Sequence, residues 1–202
     1  MSISPFDLLH QNSGVEGKII AALERISQAF RVLLWNESKE FSLSPIQVQV
    51  LIFLLYHGDE KRKVSYLANE FNMTKATISD AVKTLEQKGL ITKTHEPGDS
   101  RSYTIRLSPK GTEIARKTAM FTDEIQAPIG ALHQQDKENL LLSLIGIIQH
   151  LNQTGVITIQ RMCLTCSHYR PYQGDAKHYC QLLNKKLADS ELRVDCPDHL
   201  AI

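Results

Sequence analysis

Apolar positions recur at helical spacing through "VEGKIIAALERISQAFRVLLWNESKE", residues 15–40. Ile19, Ile20, Leu23, Ile26, Phe30 and Leu33 share one side, which predicts a long amphipathic helix. Ser42 to Ser44 break the pattern, and "SPIQVQVLIFLLYHG" starts another helix. Ser44 is placed to cap it, Pro45 suits its first turn and Gly58 closes it. The run "DEKRK" makes a charged turn.

"VSYLANEFNMTKATISDAVKTLEQKGLI" reads as helix, tight turn, helix. Val64, Leu67, Ala68 and Phe71 form the inner stripe of the first, "FNM" is the turn and Thr74 caps the second. Ile78, Val82 and Leu85 are four and three residues apart, so they turn inward together. Lys75, Ser79, Asp80 and Lys83 then point outward, with Thr77 at their edge. A short polar face of this kind is what a helix in the major groove requires, because base edges there are read by donor and acceptor pattern. Gly89 ends the helix. Ile91–His95 and Tyr103–Leu107 alternate as two strands, and "EPGDSR" between them is a turn, which together make a wing. Ser108 and Pro109 start a further helix that runs toward Gln126 and stops at Pro128. The last long helix, Gln134–Gln153, carries "NLLLSLIGIIQHL".

Composition changes this picture little. The chain has 202 residues, 42% hydrophobic and 22% charged, enough for a normal globular core. Its longest apolar runs, "VLIFLLY" and "LLLSLIGII", fall far short of the roughly 20 residues that span a bilayer. The N-terminus lacks a basic region followed by an apolar stretch, so the expectation is a cytoplasmic protein without membrane partners. Net charge is +1, but residues 61–106 hold nine Lys/Arg against five Asp/Glu. A basic middle suits a nucleic-acid surface. There is no serine or cysteine nucleophile elbow, no HExxH and no glycine-rich phosphate loop, so the sequence is not read as an enzyme.

The runs "TKATISDAVKTLEQKGLI" and "DSRSYTIRLSPKG" give the middle of the chain its likeness to a known family. From about Ile19 to Leu151 it resembles the MarR family of winged-helix transcriptional regulators. Asp99 and Arg101 match that family's Asp-x-Arg wing pattern, and "LSPKG" follows in step. The resemblance implies a mainly α fold, a winged helix-turn-helix between long N- and C-terminal dimerisation helices. It further implies a homodimer that binds double-stranded DNA at a pseudo-palindromic operator as a repressor, and a small-molecule effector in a cleft between the lobes. Trp35, Phe53 and Tyr56 are the cleft candidates. The DNA-binding candidates are Lys75, Thr77, Ser79, Asp80, Lys83, Asp99 and Arg101. A guanidinium at the wing can enter the minor groove, where negative potential is enhanced. Asp80 departs from the family, whose members often carry a basic or neutral residue there; it can accept from a cytosine amino group or pair with Lys75 or Lys83.

From about Ile157 the likeness stops. All four cysteines of the chain, Cys163, Cys166, Cys180 and Cys196, fall in this tail. In a reducing compartment such a group more often binds metal than forms disulfides. A Cys-x2-Cys knuckle lets two sulfurs face one ion, and a short segment with little core of its own needs a staple. Zinc on four thiolates is the first reading and an iron–sulfur cluster the alternative; Cys180 and Cys196 do not form a second close pair, which weakens zinc. A thiol redox switch at Cys163 and Cys166, with the centre controlling DNA binding, is a further reading. His168, His178 and His199 are taken as surrounding rather than ligating residues, and "QLLNKKL" as a short helix. The expected layout is a dimerisation helix at 1–40, a winged helix at 41–118, dimerisation helices at 119–156 and a small metal-stapled module at 157–202.

Overall fold

Each of three helices of the central region begins at a hydroxyl side chain. The Ser44 hydroxyl accepts from the Gln47 N–H at 3.4 Å while the Gln47 amide oxygen accepts from the Ser44 N–H at 3.0 Å, closing a reciprocal cap. Thr74 accepts from the Thr77 N–H at 3.1 Å and Ser108 from the Gly111 N–H at 3.0 Å. In chain order the computed structural model contains α1 (Leu8–Gln11), α2 (Val15–Glu40), α3 (Pro45–Tyr56), α4 (Val64–Glu70), α5 (Lys75–Gln87), β1 (Ile91–Glu96), β2 (Asp99–Leu107), α6 (Pro109–Thr118), α7 (Asp123–Gly130), α8 (Gln134–Gln153), β3 (Tyr169–Gln173), β4 (Ala176–Cys180) and β5 (Lys185–Leu187). It describes residues 4–96, 99–174 and 176–202, with the backbone alone for 96 and 99–102.

Three expectations are corrected. Pro128 does not stop the helix after the wing. That helix ends at Thr118, and Pro128 lies inside α7, which runs two residues further. Proline has no N–H to return to the Glu124 carbonyl, so the cost falls in the last turn, where the helix is ending anyway. "QLLNKKL" is not helical: Gln181 to Asn184 turn the chain, and Lys185 to Leu187 form β5. The strands of the wing also reach into "EPGDSR", since β1 extends to Glu96 and β2 begins at Asp99.

The chain divides into two compact units. Residues 1–56, 81–93 and 106–124 form one. Its core is α3, apolar on every side, with Val48, Val50, Leu51 and Leu54 fully buried. α2 and α6 pack on it, and Phe30 meets Phe121 edge-on at 6.2 Å. At Gly111, α6 runs directly against the carbonyl of Leu90, which also accepts from the Ser108 N–H at 2.9 Å.

Residues 57–80, 94–105 and 125–202 form the other unit. Leu67 and Ala68 of α4 are buried, and the Ile105 N–H on β2 donates to the Arg62 carbonyl at 2.9 Å. β3, β4 and β5 make an antiparallel sheet in that order. The apolar residues of the tail settle on α8: Met162, Leu192 and Ile145 form one buried cluster, flanked by Leu141, Leu142 and Ile148. Among the described residues no helix is long and apolar enough to cross a membrane.

Candidate nucleic-acid interface and four-cysteine pocket

The sequence of α5 divides the helix into two sides. Ile78, Val82 and Leu85 have no exposed surface at all. Lys75, Thr77, Asp80 and Lys83 are exposed, and Ser79 is half-buried between the two sides. Lys75 and Lys83 are eight residues apart, about 12 Å along the axis. The Thr77 hydroxyl is 2.8 Å from that of Thr74, so its side chain also belongs to the cap. Asn72, at φ 50°, makes the turn before α5, and Gly89, at φ 68°, the turn after it. Asp99 and Arg101 lie on β2; their side chains are outside the described residues.

In the tail, three turns carry the thiols. Cys163 to Thr165 form a short 3-10 turn in which the Cys166 N–H donates to the Cys163 carbonyl at 3.1 Å. Cys180 ends β4, at the mouth of the turn into β5. Cys196 follows a bridge between Arg161 and Asp195, and its N–H donates to the Arg161 carbonyl at 2.9 Å. All four are free thiols lining one cavity of about 270 Å³, together with His168 and Arg193. The backbone N–H of Arg193 lies 3.3 Å from the Cys163 sulfur, and its guanidinium 3.3 Å from that of Cys196. Burial pushes the Cys163 thiol above its ordinary range, more than the Arg193 N–H pulls it down. Among the described residues no three ligating side chains are drawn together into a ready-made metal shell.

Two of the three nearby histidines are engaged elsewhere. His178 is held between the Tyr169 hydroxyl at 2.5 Å and the Asp189 carboxylate at 2.9 Å. His199 Nε2 lies 3.0 Å from the Thr165 hydroxyl and 2.9 Å from its carbonyl, and burial lowers its pKa.

Beside the pocket, Arg161 is buried with all five of its guanidinium hydrogens directed at acceptors. Nε and Nη2 donate to the Asp195 carboxylate at 2.6 and 2.9 Å. Nη1 and Nη2 donate to Glu70 on α4 at 2.6 and 2.9 Å, and Nη1 also reaches the Tyr66 hydroxyl at 3.1 Å. Asp195 first, then Glu70, hold the guanidinium proton far more tightly than usual, and Arg161 depresses the Asp195 carboxyl in return. His57 Nε2 adds a contact to Asp195 at 3.2 Å.

A helix-turn-helix followed by two paired strands is a common architecture, and comparison with known proteins narrows it. Residues 41–102 match the MarR family. The uncharacterized HTH-type transcriptional regulator YdgJ of Bacillus subtilis (strain 168) is 27% identical over 96 residues, 48% of this chain and 58% of YdgJ, so the match spans little more than half of that relative. YdcH of the same organism, also an uncharacterized HTH-type transcriptional regulator, is 27% identical over 134 residues, 63% of this chain and 88% of YdcH. The crystal structure of the S. aureus MepR–DNA complex superposes with a TM-score of 0.56 at 21% identity, over 65% of this chain and 96% of MepR. The fold of the superposed part is therefore shared. These two relatives carry the names of transcriptional regulators, not of enzymes.

The three candidates for a MarR-type effector cleft do not come together. Trp35 is half exposed in a hollow of α2 and α3, lined with it by Arg31, Val32, Leu34, Pro45 and Gln49. Phe53 is a core residue of α3 and Tyr56 is exposed at its end; neither lines that hollow. Arg161 and Arg193 escaped the sequence reading. The signal for Arg193 was present, as a cation three residues before Cys196. Arg161 had none, because its partner Glu70 is 91 residues away.

Proposed function

We propose that this chain is a sequence-specific DNA-binding transcriptional regulator, acting as a homodimer on a pseudo-palindromic operator as a repressor. The observation that carries the reading is α5 itself: a helix anchored by three fully buried side chains that offers Lys75, Thr77, Asp80 and Lys83 to solvent inside a MarR-type winged helix. MepR, which shares the fold, is solved as a DNA complex. Dimer formation is supported by apolar residues left partly uncovered in the single chain: Ile19, Ile20 and Ile26 on α2 are 45–48% exposed, and Leu140 and Ile147 on α8 are 41% and 42% exposed. An effector is proposed for the hollow at Trp35. Selection of duplexes from a random pool, followed by binding at several salt concentrations, tests the reading. Recovery of an inverted repeat with a steep salt dependence is expected. Failure to bind any duplex at low salt overturns it.

We also propose one metal ion per chain, zinc before an iron–sulfur cluster, held by Cys163, Cys166, Cys180 and Cys196. The support is their convergence on one cavity and the two Arg193 donors aimed at sulfur, which suit the negative charge of a tetrathiolate centre. Elemental analysis and the absorption spectrum of anaerobically purified protein separate the cases: zinc without colour, iron with sulfide and visible bands, or neither metal, which overturns the proposal.

A further inference from the structure

We infer that Arg161 couples metal binding in the four-cysteine pocket to helix α4, so that bound metal tightens the first helix of the DNA-binding motif. The inference rests on the metal reading above and adds to it a route and a regulatory outcome.

The route is short and every link is polar. Arg161 lies two residues before Cys163, and Asp195 lies directly before Cys196. The two ligand-bearing segments are zipped together by the Cys196 N–H on the Arg161 carbonyl at 2.9 Å and the Cys163 N–H on the Arg193 carbonyl at 3.0 Å. An ion that draws the Cys163 and Cys196 sulfurs together therefore also fixes the register of Arg161 against Asp195. The other half of the Arg161 fork is bound to Glu70, and Tyr66 of the same helix shares one of its donors. A second tie reaches the same helix, since the Thr158 hydroxyl donates to the Asn69 carbonyl at 2.8 Å.

α4 is suited to be a switched element. It has seven residues, too few to be helical without tertiary support, and among the described residues its N-cap position, Lys63, shows no side-chain capping hydrogen bond. Its last turn leads through Asn72 and Met73 into Thr74, the cap of α5. Holding α4 thus holds the entry of the helix that bears Lys75 and Lys83. The Asp195 side chain is half exposed, so loss of the ion is expected to loosen the Asp195 half of the clamp more than the Glu70 half.

Hydrogen–deuterium exchange on the full reduced chain tests this, with the chain first stripped by chelator and then given one equivalent of zinc chloride. Amides of residues 64–72 are expected to exchange about tenfold more slowly with zinc, as a change in local opening would report. Arg161→Gln and the milder Glu70→Gln are expected to bind one zinc per chain and yet show no zinc-dependent change at residues 64–72. Zinc bound at one per chain with unchanged exchange in the wild type overturns the coupling and leaves the metal reading standing. Full zinc-dependent slowing in both variants overturns the route through Arg161. Absence of bound zinc in the wild type overturns the zinc reading and the coupling with it.

Discussion

A Cβ at Gly111 would stand 1.9 Å from the carbonyl oxygen of Leu90. No real contact is that short, and the obstacle is backbone rather than a side chain that could swing away. The same oxygen accepts from Ser108, and the Ser108 hydroxyl donates to the Gly89 carbonyl at 2.7 Å, so the strand entry and the start of α6 are tied on both sides. Gly111→Ala should therefore destabilise the chain by about 1–3 kcal/mol, the usual scale of overpacking, although alanine favours helices. Denaturant titration checks this; an unchanged midpoint would mean that α6 can slide.

Lys75 and Lys83 should each act through phosphate or base contacts. If each neutralises one phosphate, Lys75→Ala and Lys83→Ala each reduce the log–log salt slope of binding by about 0.9. A double variant with the wild-type slope would show that this face of α5 does not meet DNA.

Arg101→Ala removes the cation of the wing's Asp-x-Arg pattern. Operator affinity should fall by about 1.5–3 kcal/mol, the range for hydrogen bonds to charged groups. Sedimentation of the variant as an intact dimer accompanies that loss if the residue contacts DNA. Dissociation would assign it a structural role.

Any single Cys→Ser change among Cys163, Cys166, Cys180 and Cys196 should lose the metal and loosen residues 157–202. The helical core around α3 should still melt cooperatively, because α2 and α6 pack on α3, where Val48, Leu51 and Leu54 are fully buried. Elemental analysis with calorimetry reads both effects, and stoichiometric metal in a quadruple Ser variant would show that the ligand set is wrong.

Legibility in the sequence followed how local each determinant is. α2 and α8 have the bounds that their apolar spacing predicts, since a long amphipathic stripe needs no knowledge of its partner. The two sides of α5 were equally plain from Ile78, Val82 and Leu85. "QLLNKKL" misled because Lys185 to Leu187 take their hydrogen bonds from His178 to Cys180, and a helical pattern of leucines says nothing about that sheet. Gly111 has no local signal, because the Leu90 carbonyl that requires it is 21 positions earlier. Arg161 was hidden most completely: its five bonds reach 34 residues forward and 91 to 95 residues back.

That last separation has a consequence in time. A ribosome adding about 5–20 residues per second takes roughly 5–20 s to travel from Glu70 to Arg161, and longer to reach Asp195. Throughout that interval the Val64–Glu70 segment is in the nascent chain with the Glu70 side chain waiting for a cation not yet made. The helix that leads into α5 thus precedes its clamp by 91 residues and cannot be held by it until Arg161 has been made. A chain halted before Thr158 would leave the ribosome with α4, the mount of α5, tied neither through Thr158 nor through Arg161.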